Sequence, residues 1–258
     1  MAPVIAIVNQ KGGVGKTTTA INLSACLAAA GRRVLLVDSD PQGNATSGLG
    51  VSKARLRGCV YDVLINETPI GDVVVETGVP GLWLVPATIN LAGAEVELVP
   101  EMSREVRLRR AVEGVSSKFD YVLIDSPPSL GLITLNVLSA ASHALIPIQC
   151  EYYALEGIAQ LMNTVQRVRR HLNPSLELLG VVLTMHDHRT RIAAEVMREV
   201  RGYFKGAVFT TVIPRNVKLS EAPSHGKPIN LYDPRSKGAE AYTELAAEVL
   251  AIAEESPR

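Results

Sequence analysis

A short apolar run leads directly into a glycine-rich loop near the start of the chain. Residues 3–8 read PVIAIV, and residues 9–19 read NQKGGVGKTTT. This order predicts a buried strand, a tight turn and then a helix that begins at the Lys-Thr pair. Glycines let backbone N–H groups approach an anion closely, and a helix N-terminus adds partial positive charge. The pattern therefore predicts a cradle for phosphate groups between a strand and a helix.

The loop departs from the usual phosphate-binding pattern at its first position. In the pattern G-x-x-x-x-G-K-[ST] a glycine stands five residues before the second glycine, but Gln10 stands five residues before Gly15. By charge, we expect Lys16 to contact the β and γ phosphates and the Thr17 hydroxyl to ligate Mg²⁺. The backbone N–H groups expected to surround the phosphates belong to Gly13, Val14, Gly15, Lys16, Thr17 and Thr18.

A second lysine, Lys11, gives the loop the form K-G-G-x-G-K-T. Lys11 has no evident role if Lys16 already neutralises the phosphate charge of the bound nucleotide. It has a use if it reaches a nucleotide held by a second chain, as arginine fingers do across interfaces. The loop therefore predicts a dimer as well as a ligand.

Two further apolar runs end in carboxylates. The run at 33–37 is followed by Asp38 and Asp40, and the run at 121–124 is followed by Asp125. Ligands of a parallel sheet gather at the carboxyl ends of its strands, and Mg²⁺ prefers oxygen ligands. We expect Asp125 to hold Mg²⁺ together with Thr17. Asp40 is predicted to lie at the metal and to position the attacking water, and Asp38 to serve the metal or the loop. Taken alone, each acid would more often be a turn or helix-capping residue, and the preceding loop reverses that preference.

Alternating apolar strands and helical stretches run along the whole chain. With 258 residues and 47% hydrophobic residues, they predict an α/β fold: a doubly wound, mostly parallel sheet with helices on both faces, in one domain over 1–258. Residues 43–80 are irregular in pattern and are predicted to be a surface excursion. Three separated cysteines, no basic leader and no long apolar run predict a cytoplasmic protein.

Longer motifs resemble the ParA/MinD family of deviant Walker A ATPases, and most closely its chromosomal ParA (Soj) branch. The matching segments are KGGVGKTTTAINL at 11–23, VLLVDSDPQGNAT at 34–46, YVLIDSPPSLG at 121–131, EYYALEG at 151–157, IPRNVKLSEAPSHGKPI at 213–229 and YDPRSKGAEAY at 232–242. The resemblance implies a P-loop ATPase that uses ATP and Mg²⁺, hydrolyses slowly and forms a homodimer around two ATP molecules.

The same resemblance assigns roles to individual residues. It implies that Lys11 acts across the dimer and that Gly12 lies at the interface. Asp40 matches the hydrolytic aspartate and Asp125 the Walker B acid. The resemblance also places three residues near the adenine: Thr184, Met185 and Pro214.

A basic region lies in the last third of the chain, although the formal net charge is zero. Residues 186–237 contain ten Lys or Arg and five Asp or Glu, so this region has a formal charge of +5 and the rest of the chain has −5. By composition alone a solvated face would be the simpler interpretation. The resemblance instead implies nonspecific binding of double-stranded DNA, with a nucleoid location, through Arg189, Arg215 and Lys218. It also implies a centromere-binding partner of the ParB/Spo0J type, which stimulates hydrolysis.

Three other classes of function were weighed against this one. A MinD-like, membrane-associated cell-division regulator would carry a basic amphipathic C-terminal helix, whereas residues 243–255 are acidic and lack aromatics. An iron–sulfur carrier would need paired cysteines. A nucleotide-dependent scaffold without hydrolysis is disfavoured by the acid at position 40.

Overall fold

Eight apolar segments form one sheet in the computed structural model, which describes residues 2–151 and 157–255. Three strands, Val4–Ile7, Val34–Asp38 and Tyr121–Asp125, are buried along their whole length, as expected for the centre of a sheet that is covered on both faces. The strands are Val4–Ile7 (β1), Val34–Asp38 (β2), Val75–Glu76 (β3), Leu82–Val85 (β4), Tyr121–Asp125 (β5), His143–Gln149 (β6), Glu177–His186 (β7) and Val208–Pro214 (β8).

The strand order is β3-β4-β2-β5-β1-β6-β7-β8. Every pairing is parallel except the short antiparallel pair of β3 with β4. The chain leaves β1 towards β2 on one side and later passes to β6 on the other side. Such a reversal opens a crevice outside the carboxyl end of β1, where open α/β sheets bind ligands.

Helices cover both faces of the sheet, which confirms the predicted fold class. In the described residues they are Lys16–Ala29 (α1), Asn44–Gly48 (α2), Val60–Ile65 (α3), Ile70–Val73 (α4), Leu91–Glu97 (α5), Arg107–Glu113 (α6), Leu132–Ala140 (α7), Ile158–His171 (α8), Arg191–Phe204 (α9), Val217–Glu221 (α10), Ile229–Tyr232 (α11) and Lys237–Glu255 (α12). Short 3₁₀ turns lie at Lys53–Arg55, Ser116–Lys118 and Ala222–His225.

Side chains of β1 alternate between two hydrophobic cores. Val4 and Ala6 pack in the core beneath α3 and α5 to α9, whereas Ile5 and Ile7 pack in the core beneath α1, α11 and α12. This alternation follows from the two-residue period of a strand. It holds β1 rigidly, so the loop that follows Val8 leaves from a fixed position.

The prediction of a surface excursion at 43–80 was wrong for much of the segment. Residues 44–76 contain α2, α3, α4 and β3. Val60, Leu64 and Ile70 are buried in the core. These elements have two to six residues each, and an apolar period is not recognisable over so short a length.

The terminal helix α12 is held against α1 by a buried leucine and tyrosine. Leu245 is fully buried, and the Tyr242 hydroxyl lies 3.1 Å from Thr19 Oγ1. We expect Leu245→Ala to lower the free energy of unfolding by about 2–5 kcal/mol, because it removes apolar contacts and leaves a cavity. Denaturant unfolding followed by circular dichroism measures this loss. The exposed neighbour Glu244 supplies the control, and a loss of equal size in Glu244→Ala would contradict the packing described.

Candidate nucleotide site

The loop between β1 and α1 presents backbone N–H groups that the fold itself does not use. Gly13 and Gly15 have φ angles of 75° and 90°, in the left-handed region that favours glycine. No side chain caps the N-terminus of α1. Since the first N–H groups of a helix have no partner within the helix, they are available to an anion.

Two side chains from other elements hold this loop in place. The Asn9 amide donates to the Pro147 carbonyl oxygen at 2.7 Å and accepts from the Lys11 N–H at 3.0 Å. The Thr184 hydroxyl donates to the Val14 carbonyl oxygen at 2.8 Å. The loop is therefore fastened to the ends of β6 and β7 before any ligand arrives.

Lys16 is buried beside the carboxylates that were predicted from the strand ends. Its ammonium donates to the Lys11 carbonyl oxygen at 3.1 Å. Burial lowers the pKa of Lys16, whereas the negative charges of Asp125 and Asp40 act in the opposite direction. The structure thus brings one lysine and two acids together from three separate parts of the chain.

Asp125, at the end of β5, is fully buried, and both of its carboxylate oxygens lack a hydrogen-bond partner. The Thr17 side chain is close enough to favour the charged form, but its geometry falls short of a hydrogen bond. Burial, and then the charge of Asp38, raise the pKa of Asp125 well above its usual value. Two unsatisfied buried oxygens next to a hydroxyl suit a hydrated cation such as Mg²⁺.

Asp38 organises the loop that carries Asp40. Its carboxylate accepts from the Thr46 N–H at 2.8 Å, from the Thr46 hydroxyl at 2.7 Å and from the Asp40 N–H at 3.3 Å. Burial raises the pKa of Asp38 to about 6, although these hydrogen bonds oppose the shift. Asp38 was predicted to serve either the metal or the loop, and these hydrogen bonds support the role in the loop.

Asp40 is also buried, and its carboxylate accepts from the Gln42 N–H at 2.9 Å. In the described residues no group of three or more His, Cys, Asp and Glu side chains is arranged to hold a metal ion. A cation here would therefore need further ligands, such as the Thr17 hydroxyl, water or phosphate oxygens.

A cavity of about 200 Å³ lies beside the loop. Gly15, Thr18, Thr184, Met185 and Pro214 contribute to its lining, so the three residues predicted near the adenine lie next to the phosphate cradle. Met185 has a φ angle of 52°, which is uncommon for a residue with a side chain. Strained backbone of this kind often occurs where a ligand is held.

Lys11 and Gly12 lie on the solvent-accessible side of the loop. Gly12 is exposed and Lys11 half-buried. No acid in residues 2–151 and 157–255 forms a salt bridge with the Lys11 ammonium. This arrangement leaves a cation available beside the loop.

The three cations predicted to contact DNA lie together at the carboxyl ends of β7 and β8. The Arg215 N–H donates to the His186 carbonyl oxygen at 3.0 Å, which ties the two strand ends together. All three side chains are exposed. Each also pairs with an acid: Arg189 with Asp187 at 2.7 Å, Arg215 with Glu151 at 2.8 Å, and Lys218 with Glu221 at 2.8 Å. Exposed pairs of this kind contribute little to stability, so phosphate can compete for the cations.

A larger cavity, of about 500 Å³, lies away from the loop between α4 and α6. Its most buried cation, Arg107, pairs with Glu67 and Glu101 and donates to the carbonyl oxygens of Leu64 and Ile65. The Arg107 Nε–H is buried without a hydrogen-bond partner, but the lining of this cavity holds no buried, unpartnered carboxylate of the kind that Asp125 provides beside the loop.

Sequence reasoning missed two residues that shape the site, Asn9 and Thr46, and it missed the contact that Thr184 makes with the loop. Thr184 contacts a loop residue 170 positions earlier, and no local pattern signals such a pairing. Asn9 directly precedes the motif and could have been suspected from its position. Tyr152 and Tyr153, in the matching segment EYYALEG at 151–157, lie outside the described residues.

Comparison with known proteins decides the family. A family model described as "AAA domain" matches residues 2–178. Sporulation initiation inhibitor protein Soj of Bacillus subtilis is 62% identical over 97% of this chain and 99% of its own length. Chromosome-partitioning ATPase Soj of Treponema pallidum is 52% identical over 97% of this chain and 98% of its own length. The chain belongs to the ParA (Soj) family of chromosome-partitioning ATPases.

A solved structure extends the likeness of this ParA-family chain to three dimensions. Cobyrinic acid a,c-diamide synthase from Mycobacterium smegmatis, with bound ADP and magnesium, is 40% identical to this chain with a TM-score of 0.88. The match covers 99% of this chain and 96% of that one. Relatives at 52–57% identity carry chromosome-partitioning names, so the family assignment follows them. In the described part of this ParA-family chain, no helix has the length and apolarity needed to cross a membrane.

The Thr46 hydroxyl both donates to Asp38 and accepts from the Ala87 N–H at 2.9 Å. We expect Thr46→Val to lower the free energy of unfolding by about 1–3 kcal/mol, because the change of shape is small but two buried groups lose their partner. Denaturant unfolding tests this expectation. Ser47→Ala, which removes the hydroxyl of an exposed neighbour, is the control. Equal stability of Thr46→Val and the parent would show that this network does not hold the Asp40 loop.

Proposed function

We propose that this chain is an Mg²⁺-dependent ATPase that closes into a dimer around two ATP molecules. One observation carries the proposal: the unpartnered, buried carboxylate of Asp125 lies beside Lys16, behind a loop with uncommitted N–H groups. The relatives named as partition ATPases, and the solved structure with ADP and magnesium, support the same chemistry.

The residues of the site fit the parts of a phosphoryl-transfer centre. N–H groups of residues 13–18 would bind the phosphates, and Lys16 would contact the β and γ positions. Thr17 and Asp125 would hold Mg²⁺, which neutralises charge on the phosphates when it is bound. Asp40 would orient the attacking water from the loop that Asp38 and Thr46 hold. Met185 and Pro214 would contact the base.

Lys11 makes the proposed active unit a dimer. It lies beside the exposed Gly12, and no described acid pairs with it. A lysine in this position would reach the nucleotide of the other subunit and compensate its charge there. Dimerisation would then require bound ATP, and hydrolysis would end it.

The proposed dimer binds double-stranded DNA without sequence preference through Arg189, Arg215 and Lys218. Pairing two chains doubles this basic surface, which couples DNA affinity to ATP. In the cell we place the protein in the cytoplasm, on the nucleoid, with a ParB-type centromere-binding protein as the stimulating partner. The partition names of relatives at 52–57% identity favour this function over a membrane-associated division regulator.

Variants of the loop separate nucleotide binding from dimerisation. We expect Lys16→Ala to abolish ATP binding, since it removes the buried cation of the cradle. Lys11→Ala should keep ATP binding but stay monomeric, whereas Asp40→Ala should bind ATP and remain a dimer. Fluorescent-nucleotide binding and light scattering after size exclusion, with ATP, with ADP and without nucleotide, measure both properties. An ATP-dependent dimer of Lys11→Ala, or retained ATP affinity in Lys16→Ala, would contradict these roles.

The DNA surface is tested by removing two cations. Arg189→Ala combined with Lys218→Ala should weaken DNA binding in the presence of ATP. It should also reduce the dependence of log K on log salt by about 2 for each chain engaged, because each lost phosphate contact removes about one unit of slope. Lys118→Ala with Arg170→Ala removes the same charge from the opposite end of the sheet and serves as the control. Equal losses in the two double variants would mean that the DNA surface lies elsewhere.

A further inference from the structure

Lys53 lies in the 3₁₀ turn after α2 and contacts the loop that carries Asp40. Its ammonium donates to the Gln42 carbonyl oxygen at 2.5 Å. No acid in the described ranges, 2–151 and 157–255, forms a salt bridge with this ammonium. A hydrogen bond from a charged donor is shorter and stronger than one between neutral groups. This contact can therefore hold the backbone at Gln42 in place.

The peptide group that Lys53 contacts also holds Asp40. The Gln42 carbonyl and the Gly43 N–H belong to one peptide group, and this N–H donates to the Asp40 carbonyl oxygen at 2.8 Å. A cation at one end of a peptide group polarises it and strengthens the hydrogen bond at the other end. The Gln42 N–H, in turn, donates to the Asp40 carboxylate at 2.9 Å. Lys53 therefore acts on the residue that contacts both the backbone and the carboxylate of Asp40.

Gly43 provides the space in which the Lys53 side chain lies. A Cβ atom at position 43 would be 2.6 Å from Lys53 Cε and 2.7 Å from the Ala87 carbonyl oxygen, closer than atoms can pack. Gly43 also has a φ angle of 59°, in the left-handed region that favours glycine. The aliphatic part of Lys53 thus packs directly against backbone, and the loop is enclosed between Lys53 and Ala87.

The Asp40 loop has one support on its buried side and another on its exposed side. On the buried side, Asp38 and Thr46 hold it. On the exposed side, the other hydrogen bonds of Gln42 and Gly43 within the described residues join them to Asp40 and Ser47, which are close neighbours in the chain. Lys53 therefore supplies the contact that ties this side of the loop to a different element.

We propose that Lys53 is a positioning residue for ATP hydrolysis: it holds the peptide group between Gln42 and Gly43 and thereby keeps the Asp40 carboxylate oriented towards the attacking water. Lys53 acts through this peptide group and does not touch the nucleotide. The inference rests on the function proposed above, in which Asp40 orients that water. It adds a residue that lies outside both the glycine loop and the strand ends.

Loss of this contact should slow the hydrolytic step and leave nucleotide binding intact. The phosphates are proposed to bind to the N–H groups of residues 13–18 and to Lys16, which contact β6, β7 and the strand-end acids rather than Lys53. Hydrolysis depends in addition on where the Asp40 carboxylate points. A misplacement of about 1 Å in a reacting group can slow a reaction roughly 100-fold.

Lys53→Met tests the proposal, because methionine keeps an unbranched apolar side chain against Gly43 but lacks the donor. Single-turnover phosphate release from Mg-ATP should slow by between about 5- and 100-fold. The Kd for ATP should stay within about twofold of the parent value, so that the loss falls on the rate and not on binding. The ATP-dependent dimer should form as before and persist longer. Lys53→Arg, which restores a charged donor, should recover most of the rate.

Arg55→Met is the matched control, because Arg55 is an exposed cation of the same turn and, in the described structure, donates no hydrogen bond to the Asp40 loop. Its rate should equal that of the parent. Hydrogen exchange of residues 38–48 without nucleotide gives a second measurement that does not depend on activity. Exchange should be faster in Lys53→Met than in the parent, in Lys53→Arg and in Arg55→Met. Thermal unfolding by circular dichroism confirms that each variant is folded.

Several results would overturn the role of Lys53. A parental rate in folded Lys53→Met, or equal slowing in Arg55→Met, would show that this contact does not position Asp40. A rate of Lys53→Arg as low as that of Lys53→Met would exclude the donor as the cause. ATP binding that weakens as much as the rate would indicate a general structural role instead. If the parent hydrolyses no ATP, the proposed function fails, whereas unchanged hydrogen exchange in Lys53→Met refutes the positioning role on its own.

Discussion

The site depends on the charge balance between one buried lysine and the acids around it. Lys16 lies among Asp125 and Asp40, and Asp125 has no hydrogen-bond partner for either oxygen. Excess negative charge in a buried place is costly unless a cation or a proton compensates it. The same imbalance that raises the pKa of Asp125 therefore prepares the site for a metal ion, and the glycine loop supplies donors for the phosphates that accompany it.

Rigidity around this cluster comes from the sheet. The carboxyl ends of β1, β2 and β5 meet at one edge because these strands are parallel neighbours. Side chains such as Asn9 and Thr184 then fasten the loop to β6 and β7. Asp38 and Thr46 hold the Asp40 loop, and Glu95 of α5 accepts from the first N–H groups of α7.

Much of the fold could be predicted from the chain alone, because long apolar strands and the glycine loop have strong local signals. The strand at 121–125 and the helix from Lys16 have the predicted positions. The short elements within 44–76 could not be predicted, since their burial depends on α5 and α6 packing over them. The candidate acids were found because they end strands, but the roles of Thr46 and Glu95 arise from contacts with distant residues.

The sequence by itself determined the chemistry that is present: a lysine–glycine loop, acids after buried strands and a basic region near the C-terminus. Local patterns encode these features because strand, turn and helix preferences act over a few residues. Only the tertiary structure decided which of these groups are buried together. It leaves Asp125 without a hydrogen-bond partner, uses Asp38 to hold a loop and exposes the cations of the basic region. Burial and hydrogen bonding between distant segments set those differences, and the order of residues along the chain does not display them.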